Sequence, residues 1–174
     1  MQVLVAVASK HGSTRGIGEM IAAELRSMNI DADVEELSEA STIGAVDAAV
    51  IGSAVYLGHW LPEAIAFIRQ QEAGLRPIPV WLFSSGPLGE DQPHPPGDPH
   101  HLDEMMMTDR ARGHRCFSGR LDREQLGLGE RLLVKAVHAP TGDFRDWDAI
   151  RDWAKEIGQT LLSGGSGTGT RPAA

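Results

Sequence analysis

Residues 2–8, QVLVAVA, are apolar at every position but the first. A strand reads this way only when both of its faces are covered, as in a parallel sheet sandwiched between helices. Two further runs have the same character, residues 47–55 (DAAVIGSAV) and 78–84 (IPVWLFS). Residues 33–37 form a weaker alternating strand, and residues 115–121 are a fifth candidate. Helical patterns fall between the runs. In residues 13–28, Ile17, Met20, Ile21, Leu25 and Met28 recur at three- and four-residue steps and make one apolar stripe. A second helix starts at Leu61 with Pro62 in its first turn and continues through Ile65 and Ile68. Asp146 is placed to cap a closing helix that carries Trp147, Ile150, Trp153, Ala154, Ile157 and Leu161. Strands alternating with helices imply parallel pairing through right-handed crossovers, hence a doubly wound α/β sheet. The pattern leaves the strand order open.

At 174 residues the chain fits one domain. The reading is a single domain over residues 1–162 and a flexible tail over residues 163–174, SGGSGTGTRPAA. The first eight residues lack the basic start of a signal peptide and run straight into the periodic pattern. No apolar stretch has the length of a membrane helix. The single cysteine, Cys116, excludes an internal disulfide and is read as a small buried apolar residue. A formal net charge of −8 disfavours a nucleic-acid partner and favours small ligands or basic proteins. The expected compartment is the cytoplasm.

The most informative residues follow the first strand: Ser9-Lys10-His11-Gly12-Ser13-Thr14-Arg15. The hydroxyls of Ser9, Ser13 and Thr14 and several free backbone N–H groups meet there, at the positive end of a helix. That combination suits a phosphate dianion. Gly12 lets the backbone approach closely. The loop lacks the Gly-Lys-Ser/Thr ending of a nucleoside-triphosphate loop, and it is no G-x-G-x-x-G fingerprint. A phosphorylated receiver domain would need carboxylates where this chain has Ala8-Ser9 and Gly52-Ser53.

The loop resembles the FMN-phosphate loop of flavodoxins, roughly Ser/Thr-x-Thr-Gly-x-Thr, with Ser9, Gly12 and Thr14 matching and His11 standing where a threonine is usual. A second segment, Ile51-Gly52-Ser53-Ala54-Val55-Tyr56-Leu57-Gly58-His59-Trp60, resembles the corresponding run of the flavodoxin-like, menaquinone-dependent protoporphyrinogen oxidases of bacteria. The likeness continues through Gly119-Arg120-Leu121, Arg131-Leu132-Leu133-Val134-Lys135 and Asp146-Trp147, and so covers most of residues 1–162. It implies a three-layer, flavodoxin-like, five-stranded parallel sheet of order 2-1-3-4-5, with FMN at the switch point between strands one and three. It also implies which residues bind the cofactor. Ser9, Lys10, His11, Gly12, Ser13 and Thr14 would hold the phosphate. Ser53, Ala54, Val55, Tyr56, Leu57, Gly58 and Trp60 would lie along the ring, with Tyr56 and Trp60 offering flat faces. Ser84, Ser85, Gly86, Leu88 and Gly89 would form a third wall. Gly58 could turn the carbonyl of the Leu57-Gly58 peptide toward flavin N5, and His59 could donate a hydrogen bond to reduced flavin or substrate; these two are the catalytic candidates.

Two functions follow from different classes. One is an FMN oxidoreductase that passes electrons or hydride from a reduced small-molecule substrate to a quinone-like acceptor. The other is a flavodoxin-type electron carrier that docks on redox proteins. The acidic net charge suits the carrier. Residues 122–140 suit the enzyme, because Leu126, Leu128, Leu132, Leu133, Ala136 and Val137 form a stripe that could meet a membrane surface, a partner or a hydrophobic substrate, although the commoner fate of such a stripe is to pack on its own domain. That segment lacks the strongly basic, aromatic-rich character of the oxidases. Residues 86–113 are long for a loop and read as a lid or as a loop plus a short helix. His94, His100 and His101 have no regular ligand spacing, so no metal is expected.

Overall fold

The computed structural model describes residues 1–38, 41–56, 58–86, 111–122 and 141–164. In chain order its elements begin β1 (Gln2–Ala8), α1 (Ser13–Ser27), β2 (Asp31–Glu36), β3 (Ala48–Tyr56), β4 (His59–Trp60) and α2 (Pro62–Gln70). They continue with α3 (Glu72–Leu75), β5 (Val80–Gly86), β6 (Ala111–Ser118), β7 (Arg120–Leu121), β8 (Gly142–Asp143) and α4 (Trp147–Gly164).

The apolar run of β1 is sealed from Val3 to Ala8, and β1 lies parallel between β2 and β3. β5 pairs parallel with β3, and β6 with β5, giving the path β2-β1-β3-β5-β6. Counted over these five parallel strands, the order is the 2-1-3-4-5 that the resemblance implied. The pleat of β1 sends alternate residues to two cores. Val3, Val5 and Val7 meet Ile17, Ile21 and Leu25 of α1 and Ile150, Trp153 and Ile157 of α4. Leu4, Ala6 and Ala8 meet Ala64, Phe67 and Ile68 of α2. The sheet is therefore the middle of three layers. Ile17, Ile21 and Leu25 are fully buried, and each contributes about 1.5–3 kcal/mol relative to exposure.

The helix starts follow local chemistry. Pro62 opens α2, where its missing N–H costs nothing. The Asp146 carboxylate accepts from the N–H groups of Asp148 at 3.1 Å and Ala149 at 2.9 Å, which caps α4. Just ahead, the Arg145 guanidinium forks onto Asp143 and stacks 4.3 Å from the Trp147 ring centroid. The Arg145 hydrogen bonds hold the Asp143 carboxyl below the usual carboxylate range, against a smaller opposing effect of burial. A folded-state value lowered in this way adds stability above the unfolded value of about 4 and loses it as pH falls. Acid titration of wild type and Asp143→Asn should therefore show the wild type losing stability more steeply below about pH 4.

Several boundaries differ from the sequence expectation. β2 begins at Asp31 and β6 at Ala111, and α2 ends at Gln70 before the separate turn α3. Residues 120 and 121 leave the main sheet, because the Gly119 N–H turns onto the Gly86 carbonyl, and they pair with β8 as an antiparallel ribbon. Cys116 is exposed, not buried. It sits on β6, the outermost of the described strands, whose covered face is taken by Phe117, packed against Phe83 and Trp153, and the alternation turns Cys116 outward. α4 runs to Gly164, two residues into the stretch read as tail. The expectations for residues 87–110, 123–140 and 165–174 lie outside the described residues, including His94, His100, His101 and the apolar stripe. Among the described residues no helix is long and apolar enough to cross a membrane.

Candidate functional site

β1 delivers the chain to a tight turn at the carboxyl end of the sheet. Gly12 occupies the left-handed region at φ +74° and forms the N-cap of α1 without any side-chain cap, and no carboxylate lies in the first turn. The amides of that turn thus keep their positive end open. Beside them, Ser9 Oγ and Thr14 Oγ1 are buried and have no hydrogen-bond partner. An unsatisfied buried hydroxyl costs about 1–3 kcal/mol, so two at one helix start call for an acceptor from outside the chain. A phosphate dianion fits this donor set, since it accepts from hydroxyls and amides together.

Ser13 behaves differently from the other two hydroxyls. Its Oγ accepts the Arg120 backbone N–H at 2.7 Å and ties the turn to the start of β7, while its own O–H remains a donor. Arg15 is engaged elsewhere, bonded to Glu19 at 3.0 Å and to Glu36 at 3.1 Å; both bonds raise the pKa of a side chain that is cationic in any case.

The second loop is a hairpin. Val55 pairs with Trp60 and Tyr56 with His59, and Gly58, between the paired residues, has φ +81°. Leu57 itself lies outside the described residues. Ala54, Val55 and Tyr56 are half-buried and His59 is exposed. Lys10 reaches across from the first loop and places Nζ 5.1 Å from the Tyr56 ring centroid. Ser53 is fully buried; its hydroxyl donates to the Ala54 carbonyl and accepts the Leu61 N–H, so it pins the hairpin and offers nothing to a ligand.

Trp60 does not present the flat face expected of it. It is only 3% exposed, belongs to the core under α2, and donates its indole N–H to Ser84 Oγ at 2.8 Å. The β-pleat explains this, because Trp60 follows exposed His59 and must point to the opposite face. The same Ser84 oxygen lies 2.8 Å from His114 Nε2 on β6. A polar chain, Trp60–Ser84–His114, therefore links β4, β5 and β6, buried at its Trp60 end and part-buried at His114.

Of the residues expected to form a third wall, Ser84 and Ser85 are buried and Gly86 is half-buried; Leu88 and Gly89 lie outside the described residues. A fourth segment escaped the sequence reading. Gly119 approaches so closely that an added Cβ would stand 2.8 Å from the Gly86 carbonyl oxygen and 3.2 Å from Ser13 Oγ. Gly119 and Arg120 thus join the first and third loops. The available signal was the Gly-Arg-Leu run, which the resemblance had already singled out. Described residues offer no group of three or more His, Cys, Asp or Glu placed to hold a metal.

A doubly wound sheet with a hydroxyl-bearing helix start at the β1/β3 switch point is the architecture of a nucleotide-binding α/β domain. A profile of the flavodoxin domain matches residues 4–148, and the chain belongs to that family, whose cofactor is FMN. Protoporphyrinogen IX dehydrogenase (quinone) of Escherichia coli strain K12 is 23% identical over 171 residues, covering 90% of this chain and 94% of that one. A flavodoxin from the domain Archaea superposes with a TM-score of 0.61 at 14% identity, covering 93% of this chain and 99% of that one. A flavodoxin of Streptococcus pneumoniae TIGR4 gives a TM-score of 0.61 at 16% identity, covering 92% and 99%. Both structures share the fold. The family and the fold give the protein a flavodoxin-type redox function.

Proposed function

We propose that the protein is an FMN-dependent oxidoreductase that moves electrons or hydride from a reduced substrate to a quinone-like acceptor, with a chemistry related to protoporphyrinogen oxidation. The observation that carries the cofactor part is the pair of unpartnered, buried hydroxyls on Ser9 and Thr14 at the start of α1. With the first-turn amides they hold the FMN phosphate. Ala54, Val55 and Tyr56 line the ring, and Ser85 and Gly86 close its far side. Bound FMN supplies a ring that accepts two electrons and passes them on. Gly58, already at positive φ, permits the turn carbonyl to reorient toward the ring, and exposed His59 supplies a hydrogen-bond donor at the mouth.

The likeness to the E. coli dehydrogenase along nearly the whole chain supports an enzyme. The net charge of −8 favours the second reading, a carrier that docks on basic redox partners. Purified protein should be yellow and release FMN on heating. It should then oxidise a reduced porphyrin with a quinone as acceptor and no protein partner present. Absence of turnover, together with electron transfer to added redox proteins, would replace the enzyme with the carrier.

A further inference from the structure

We infer that the Gly119–Arg120 peptide is a positioning element of the phosphate site, whose N–H occupies the acceptor side of Ser13 Oγ and leaves the Ser13 proton for the phosphate; this rests on the FMN reading above. The polar groups of that junction are spent on the segments around it. The Gly119 N–H donates to the Gly86 carbonyl, and the Gly119 carbonyl accepts the Phe144 N–H at 3.1 Å. The Arg120 N–H donates to Ser13 Oγ at 2.7 Å. One junction therefore ties the start of α1 to the end of β5 and is itself held from just past β8. Gly119 is required there for room and not for conformation. Its φ lies outside the left-handed region that Gly12 and Gly58 occupy. An added Cβ, however, would stand 2.8 Å from the Gly86 carbonyl oxygen, a main-chain atom that cannot swing aside.

A serine hydroxyl can donate or accept, and its rotation normally leaves the choice open. A phosphate dianion carries no proton of its own, so only the donor form binds it. At Ser13 the choice is made before any ligand arrives. A main-chain N–H already sits on the oxygen, and among the described residues no acceptor takes the Ser13 proton. Ser13 is the first residue of α1, between the N-cap Gly12 and Thr14, whose Oγ1 has no partner. The N–H also strengthens the hydroxyl as a donor, because chained hydrogen bonds polarise one another. Preorganisation of this kind acts on the phosphate and is indifferent to the flavin ring. It is read in the preference for FMN over riboflavin, which share that ring.

Arg120→Pro deletes the one N–H and keeps the Ser13 side chain. Arg120 opens β7, a strand position that proline tolerates, and the residue before it is glycine, which has no Cβ to clash with the new ring. Arg120→Ala, which also lacks the guanidinium but retains the N–H, is the reference for it. Gly119→Ala disturbs the same junction independently and is compared with the wild type. Each full-length protein is titrated with FMN and with riboflavin. Arg120→Pro should show an FMN-to-riboflavin affinity ratio about tenfold below that of Arg120→Ala, with riboflavin itself changed less than about twofold. Gly119→Ala should lower the wild-type ratio by a similar factor, and it decides the matter alone if the proline variant does not fold. A ratio unchanged in these comparisons, including equal loss of both ligands, would overturn the proposal, because the junction would then serve the fold and not the phosphate. A wild type with no preference for FMN would be a different result; it would overturn the phosphate reading itself, and the proposal with it.

Discussion

Replacing Ser9 with alanine and Thr14 with valine together is expected to weaken FMN binding by about a hundredfold or more, while the apoprotein unfolds at the same temperature or higher. The two halves of this result have one cause. Each hydroxyl is buried without a partner in the free chain, so each carries a desolvation cost that nothing in the protein offsets. Valine has the shape of threonine without the oxygen, and its introduction removes that cost. A phosphate dianion supplies the missing acceptor, and hydrogen bonds to a charged group are worth about 1.5–3 kcal/mol each. Losing two of them gives the affinity loss. Isothermal titration with FMN and calorimetric unfolding of the apoprotein read the two halves separately. A double variant that is less stable and binds FMN undiminished would make these hydroxyls ordinary core atoms.

The second large effect concerns the strand that carries the hairpin. Gly52→Ala is expected to destabilise the fold by about 3 kcal/mol, through overpacking of a closed core. An added Cβ at this position would stand 2.0–2.5 Å from three carbons of the Phe83 ring, closer than any real contact. The ring has nowhere to go, because Phe83 is fully buried on β5 and packs against both Phe117 and Trp153. Chemical denaturation should show the loss, and Phe83→Leu in the Gly52→Ala background should recover part of it. A Gly52→Ala variant as stable as the wild type would mean that β3 and β5 are not packed as described. The conformation-bearing glycine of the hairpin, Gly58, is a separate matter and touches the site directly.

The fold was readable because periodicity reports burial. The apolar run of β1 and the stripe of Ile17, Ile21 and Leu25 can be satisfied only between a sheet and its helices. Strand order was not readable that way, since all parallel strands look alike; it came from the resemblance of the loops. The turn from β1 into α1 was legible because hydroxyls, a glycine and a helix start are local in sequence. Trp60 was misjudged because an indole that stacks on a ligand and one that seals a core read identically. What decides between them is Ser84, which is 24 residues away and accepts its N–H. Cys116 was misjudged for a similar reason, as only the sheet order makes β6 the outermost of the described strands. The Arg120–Ser13 bond spans 107 residues, beyond any pattern confined to a window.

Side-by-side titration of the wild-type protein with FMN and with riboflavin isolates the phosphate, since the two ligands share the same ring. FMN should bind about a hundredfold or more tightly than riboflavin, and the gap should close in the Ser9→Ala, Thr14→Val protein. Equal affinity of the wild type for both ligands would contradict the account, because the start of α1 would then hold no phosphate.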